Sequence, residues 1–222
     1  MEDVLRIAGA IVLPYLLGSI PWAVIVVRVF WHQDIRKLGS GNTGATNVLR
    51  VFGTAPGLAV LSLDILKGAL GVLVARSLTP EAFGAAGLDW FMMLGALAAI
   101  AGHSFSFWIG FSGGKGMATA SGAIIVLAPK AVPVLLLIFV LAVAISRMVS
   151  VGSITLGVAF PTVSWIIYPD RLALLVFMLA AMAFVIWRHR GNISRIIKKT
   201  EPRITFKRRM WDEVKPHDEG SV

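Results

Sequence analysis

Apolar runs of spanning or near-spanning length recur along the whole chain, at 4–30, 56–78, 88–109, 131–146, 150–168 and 171–187, with a shorter one at 116–128. About 20 consecutive apolar residues cross the hydrocarbon as a helix, and lipid offers the backbone no partner outside its own helix or a closed barrel. The pattern therefore predicts an all-α integral membrane protein of about seven transmembrane helices in one bundle. If 116–128 is re-entrant the number falls to five or six. A composition of 57% hydrophobic and 15% charged residues agrees, since soluble domains carry about 25% charged residues. The first run lacks the basic flank and small-residue cleavage site of a signal peptide, and is expected to be a retained helix. A single transmembrane domain is expected over 1–200, followed by a basic, partly disordered tail over 201–222.

With seven crossings and the N-terminus outside, 31–55, 102–115, 147–149 and the chain from Arg188 onward share one side. That side takes Arg28, Arg36, Lys37, Arg50, Lys115, Arg147 and the ten basic residues from Arg188 on, against Arg6, Arg76, Lys130 and Arg171 opposite, with Lys67 inside the membrane. The excess of Lys and Arg marks the cytoplasmic side, giving a periplasmic N-terminus, a cytoplasmic C-terminus and a place in a bacterial cytoplasmic (inner) membrane. The net charge of +9 then suits anionic lipid. No aromatic-interleaved basic face of the nucleic-acid type is present, so no nucleic-acid partner is expected.

Polar motifs gather on that side. The first loop reads GSGNTGATNVLR, Gly39 to Arg50, with Gly39, Gly41 and Gly44 free of Cβ atoms where backbone amides could converge on an anion. Ser40, Asn42, Thr43, Thr46 and Asn47 add hydrogen-bonding side chains, and Arg50 a guanidinium. The plain alternative is a flexible polar turn. A second loop, Gly102 to Thr119, carries the GGKG core Gly113 to Gly116, again ahead of a helix and again with one lysine. His103 is expected to cap or hydrogen-bond within this loop, and the aromatics from Phe105 to Phe111 to sit at the membrane interface.

Asp64 and Lys67 stand three apart inside an apolar run, on one helical face, either as a packing ion pair or as groups lining a wet cavity. Ser150 and Ser153 in RMVSVGS are either N-caps or ligand-binding hydroxyls. His189, Asn192 and Arg195 recur every three residues and share a face if the last helix continues through them.

Several chemistries are excluded or lose support. The chain has no cysteine, which removes disulfides, thiolate metal sites and a cysteine nucleophile. None of His32, His103, His189 or His217 has an aspartate five residues later, and no G-x-S-x-G elbow or paired-aspartate metal motif occurs. The glycine loops fit neither a Walker loop nor a dinucleotide fingerprint.

Taken in order, GSGNTGATNVLR, D-I-L-K-G, G-H-S-F-S followed by F-S-GGKG-M-AT, R-M-V-S-V-G-S and H-R-G-N-I-S-R ending at Glu201 closely resemble the acyl-phosphate:glycerol-3-phosphate acyltransferases, the PlsY family of bacteria. The likeness runs from about Gly18 to Glu201, with Met117 where a smaller aliphatic residue is common and Lys199 in place of a glycine. The resemblance implies transfer of a fatty acyl group from acyl phosphate to the 1-hydroxyl of sn-glycerol 3-phosphate, yielding lysophosphatidic acid and phosphate at the first step of bacterial phospholipid synthesis. It implies no cofactor and no metal; the partners are the two substrates and membrane lipids.

Carried over to this chain, the family pattern implies that Ser40, Gly41, Asn42, Thr43, Gly44, Ala45, Thr46 and Asn47 cradle acyl phosphate. Arg50, Lys115, Ser153, His189 and Asn192 then engage glycerol phosphate, and His189, Lys115, Arg50 and Ser40 are the candidate catalytic residues. Asp64, Lys67, His103, Gly113, Gly114, Gly116, Ser150, Arg195 and Glu201 complete the expected binding set. An acyl phosphate arrives activated, so the absence of an enzyme nucleophile is coherent. Either His189 or a substrate phosphate takes the hydroxyl proton, and the substrate-assisted route is favoured because no carboxylate is spaced to orient His189. The competing class is an organic-phosphate transporter, which calls for inverted repeats and central ligands; neither is present in the pattern.

Overall fold

The computed structural model describes residues 1–204. The expected disorder at Lys215 to Val222, and the rest of the basic tail from 205 on, lie outside the described residues. Ten α-helices occur among the described residues: α1 Glu2–Ser19, α2 Trp22–Trp31, α3 Ala45–Phe52, α4 Thr54–Leu78, α5 Gly84–Ser104, α6 Met117–Leu127, α7 Val132–Ser146, α8 Val149–Ile167, α9 Leu172–Arg188 and α10 Arg190–Ile197.

Five stretches are long and apolar enough to cross a bilayer: Glu2–Trp31, Thr54–Leu78, Glu81–Ile109, Pro129–Ser146 and Val149–Ile167. Leu172–Arg188 and Arg190–Ile197 meet the same standard only together, with a bend of 56° between them, and Met117–Leu127 is shorter. All seven expected apolar runs are thus helical. The run 4–30, expected as one helix, is two: Pro21 has no amide to continue the ladder, and α1 stops at Ser19 before α2 starts at Trp22. The carbonyls exposed at this break are satisfied inside the protein. Ile20 O accepts from Lys67 Nζ at 2.9 Å and Ser19 O from Ser106 Oγ at 2.5 Å, as lipid requires.

Helix α4 is the hub, packed against α1, α3, α5 and α6, while α7, α8 and α9 pack in sequence and join the rest through α9, which lies against α5 and α6. Close approach rests on small residues, since burial of apolar surface gives no net drive between helices in lipid. A Cβ at Gly68 would run into Thr119 O, and one at Gly122 into Ile65 O, so α4 and α6 cross with their backbones in contact. Leu127, Phe160, Leu174, Phe177 and Met178 fill the core between α6, α8 and α9, and Val48, Val51 and Val60 a smaller one beneath α3.

One end of the bundle is tied by Arg171. Its guanidinium forms a two-point bond with Asp89, at 3.0 and 2.7 Å, and donates to Leu127 O at 2.7 Å, which joins the start of α9 to the start of α5 and the end of α6. The polar motifs lie at the other end.

Candidate active site

A cavity of about 370 Å³ opens at that end and reaches down between α4, α6, α7 and α8. Its upper wall is polar, with Ser40, Asn42, Thr46, Arg50, Lys115, Ser153, His189, Asn192 and Glu201. Its lower wall is apolar, with Leu61, Ile65, Ile124, Leu135, Phe139 and Phe160.

The first loop owes its shape to Asn47. The Asn47 amide nitrogen donates to Leu38 O at 3.0 Å and Ile35 O at 3.4 Å, and its oxygen accepts from Ser40 N at 2.9 Å. Gly39, at φ +57°, lies so close to Asn47 Oδ1 that a Cβ would strike it. Asn47 is therefore a staple, although it was expected to bind substrate, and the Ser40 amide is already used. Gly41 donates to Leu38 O. Among the described residues, the amides from Asn42 to Thr46 have no protein acceptor, and they flank the start of α3. Donors gathered at a helix start suit an anion.

The second loop passes over His103. Gly114 N donates to His103 O at 3.1 Å, and a Cβ on Gly114 would meet His103 Nε2. The His103 ring thus lies against Gly114, and its other edge faces Asp64, with Nδ1 3.5 Å from Oδ1. Asp64 Oδ1 also takes Lys67 Nζ at 2.9 Å. All three side chains are buried, and Asp64 Oδ2 has no hydrogen-bond partner among the described residues. On the far side of the loop, Arg188 donates to Gly113 O at 2.9 Å and Gly114 O at 2.6 Å.

Lys115 Nζ leaves this loop and donates to Asn192 Oδ1 at 2.5 Å. Burial, with Arg195, Arg50 and Arg188 nearby and Glu201 only partly offsetting them, brings its ammonium down to about 8. Asn192 Nδ2 donates to Glu201 Oε1 at 2.7 Å, and Arg195 Nε to Glu201 Oε2 at 2.7 Å. Glu201 is buried, and although burial opposes its charge, the neighbouring Ser150 hydroxyl, Asn192 and Arg195 hold the carboxyl below its ordinary range. The segment that carries it folds back over the site: Ile204 N donates to Arg147 O at 2.7 Å and Arg50 reaches Pro202 O at 3.4 Å.

His189 sits at the bend just past the end of α9, so the last helix does not continue through it as one rod. Its Nδ1 is 2.8 Å from Val185 O. A carbonyl only accepts, which puts the proton on Nδ1 and leaves Nε2 with a lone pair. Burial, then the positive Lys115, push His189 down to about 4, so it is neutral near pH 7.

The structure brings Ser40, Asn42, Gly44, Ala45, Thr46, Asn47, Arg50, Asp64, His103, Lys115, Gly116, Ser150, Ser153, His189, Asn192 and Glu201 to one cavity. It leaves Gly41, Thr43, Lys67, Gly113, Gly114 and Arg195 out of the lining. Ser150 and Ser153 are not N-caps, because α8 begins at Val149 after Met148 and both serines lie inside it, facing the cavity. Arg188 was missed as a site residue. Its signal was an arginine abutting His189 at the end of an apolar run.

The chain matches the glycerol-3-phosphate acyltransferase family over residues 8–199. It is 40% identical over 208 residues to a glycerol-3-phosphate acyltransferase of Desulforamulus reducens, covering 94% of this chain and 98% of that one. It is 43% identical over 196 residues to glycerol-3-phosphate acyltransferase 2 of Moorella thermoacetica, covering 88% and 96%. The crystal structure of PlsY (YgiH), an integral membrane glycerol 3-phosphate acyltransferase in its glycerol 3-phosphate form, superposes with a TM-score of 0.79 at 31% identity, over 92% of this chain and 96% of that one. Its lysophosphatidic acid form gives 0.76 at 30% identity, over 93% and 97%. A bundle of apolar helices with a polar cavity at one end, matched along nearly its whole length in sequence and in shape, thus belongs to the glycerol-3-phosphate acyltransferase family and is a multi-pass membrane acyltransferase.

Proposed function

We propose that this enzyme transfers a fatty acyl group from acyl phosphate to the 1-hydroxyl of sn-glycerol 3-phosphate, releasing phosphate and lysophosphatidic acid at the first step of phospholipid synthesis. The observation that carries the reading is the two-natured cavity: amides and cations at its mouth, and an apolar wall running into the bundle. Two phosphates fit the first end and an acyl chain the second. The chain is one transmembrane domain of seven crossings over 1–200 in a bacterial cytoplasmic membrane. Its cavity faces the cytoplasm, as the excess of Lys and Arg at that end supports.

In this reading the amides from Asn42 to Thr46 and the Ser40 hydroxyl hold the acyl phosphate. Arg50, Lys115, Ser153 and Asn192 hold glycerol phosphate, beside the Nε2 lone pair of His189. The 1-hydroxyl oxygen attacks the acyl carbonyl, the bond from that carbon to the phosphate oxygen breaks, and the hydroxyl proton leaves with the phosphate. No acyl-enzyme intermediate forms, since the donor is already a mixed anhydride. His189, near 4, is a weaker base than a phosphate whose second pKa is about 6. It therefore orients the glycerol moiety by accepting a hydrogen bond from the neighbouring 2-hydroxyl, while the phosphate takes the proton of the attacking 1-hydroxyl. Rate enhancement comes from holding two repelling anions together in a cationic, partly dry site.

The test is purified protein in liposomes given radiolabelled sn-glycerol 3-phosphate and, in parallel, acyl phosphate, acyl-CoA or acyl carrier protein as donor. Lysophosphatidic acid with matched phosphate release is expected from acyl phosphate. Equal or better turnover with either thioester donor would overturn the donor assignment.

A further inference from the structure

Arg188 ends α9 one residue before His189 and has no role in the reaction as described so far. Its guanidinium lies over a pair of rings that pack together with centroids 6.1 Å apart, Phe105 at 5.6 Å and Trp187 at 5.7 Å from the guanidinium carbon. From there Nη2 donates to two successive carbonyls, Gly113 O and Gly114 O. A trans peptide points its C=O and N–H in opposite directions. Drawing both carbonyls toward Arg188 therefore turns the Gly114 and Lys115 amides away from it. The Gly114 amide meets His103 O. The Lys115 amide has no protein acceptor among the described residues. A glycine pair has little preference of its own for one setting of these peptide planes. The charged double hydrogen bond supplies that preference.

We infer that Arg188 is a positioning residue, a strut that sets the peptide planes of the second glycine loop so that the Lys115 amide and side chain are presented together to a substrate phosphate. The strut springs from the same bend that carries His189, so the phosphate-holding loop and the imidazole keep one spacing. The assignment rests on the acyl-transfer reading above and goes beyond it: Arg188 touches no substrate and acts through the loop. Its packing over Phe105 and Trp187 holds the guanidinium in place, which a lysine at this position reproduces only in part.

The experiment uses the full chain in liposomes with Arg188→Gln and Arg188→Lys, measuring KM for each substrate, kcat and the thermal midpoint. Arg188→Gln is expected to raise KM for glycerol 3-phosphate by about tenfold or more, with KM for acyl phosphate held within about twofold. The midpoint stays within a few degrees and Arg188→Lys recovers part of the loss. An unchanged KM for glycerol 3-phosphate, or both KM values rising together with a fallen midpoint, would overturn the strut. If Arg188→Gln does not accumulate in membranes, Arg188→Lys decides: a raised KM for glycerol 3-phosphate alone supports the inference, and wild-type values overturn it. Failure of the wild-type protein to turn over would sink the acyl-transfer reading instead. The strut is then judged by calorimetric affinity for sn-glycerol 3-phosphate, where weakening in Arg188→Gln supports it and no change overturns it.

Discussion

Lys115 offers a direct link between the electrostatics of the site and a measurable rate. Burial, with three arginines nearby, lowers its ammonium from 10.5 to about 8. In the free enzyme near pH 8 about half the molecules carry the charge, and one pH unit higher about a tenth do. A phosphate dianion binds the cation, so the sign is fixed: kcat/KM for glycerol 3-phosphate is full well below 8 and falls about tenfold per unit above it. The second ionisation of the substrate, at about 6, is nearly complete by about pH 7 and so adds nothing to the limb above 8. With both phosphates bound, the ammonium is favoured again, so the limb in kcat lies at higher pH than the limb in kcat/KM. The assay is initial rates of acyl transfer in liposomes from about pH 6.5 to about pH 9.5, with the non-enzymatic loss of acyl phosphate subtracted. Lys115→Arg removes the upper limb, because a guanidinium stays charged throughout. It lowers the plateau because the larger fork cannot repeat the single contact with Asn192. A wild-type profile flat to pH 9.5, or a Lys115→Arg profile that keeps the limb, would refute the reasoning.

Other expectations test the remaining parts of the site. His189→Gln, which retains a hydrogen-bond acceptor, should raise KM for glycerol 3-phosphate while kcat falls by no more than about tenfold; a loss of about a thousandfold or more in kcat alone would make His189 the proton acceptor. Lys67→Met strands the buried Asp64 carboxylate and frees Ile20 O, and should destabilise the fold by about 3–5 kcal/mol in detergent melts, with Asp64→Asn added to it restoring part of that. Gly122→Val drives a side chain into Ile65 O at the α4–α6 crossing; a loss of about 1–3 kcal/mol or failure to accumulate is expected, and a wild-type melting midpoint would show that this crossing tolerates separation.

Hydropathy alone located the helices because lipid forces every crossing segment to be both apolar and helical. It was blind to breaks that keep the apolar character. Ile20 and Pro21 split the first run without changing its composition, and α3, eight residues inside a polar loop, is too short for a spanning pattern to register. Asp64 and Lys67 were readable as a pair from their spacing, whereas the His103 contact is tertiary and no local pattern encodes it. Asn47 shows the limit most clearly. An asparagine in a glycine-rich loop looks like a ligand, and only coordinates reveal that its amide is spent on Ser40, Leu38 and Ile35. For Ser150 and Ser153 the sequence left capping and ligand binding equally open, and the cavity-lining placement follows because α8 begins at Val149, two residues before a helix capped by Ser150 would start.

Charge pairing sorts the four basic residues that the sequence placed at the site. Lys67 is matched by Asp64 and Arg195 by Glu201, and neither lines the cavity. Arg50 and Lys115 do line it, and among the described residues each has only neutral oxygens as hydrogen-bond partners, Pro202 O and Asn192 Oδ1. A cation held by a carboxylate has little left to offer an incoming anion, and separating the pair would strand the buried acid. A cation resting on a carbonyl can exchange it for a phosphate at small cost, since the stronger bond is the charge-assisted one. The two carboxylates therefore work by keeping Lys67 and Arg195 in structural use, and Glu201 also fixes which face of the Asn192 amide meets Lys115. Arg50, in the last turn of α3, and Lys115, just ahead of α6, are thereby, among the described residues, the two cavity-lining cations left available to an incoming phosphate. That is why the proposed reaction gives both to glycerol phosphate, while the unpartnered amides at the start of α3 hold the acyl phosphate.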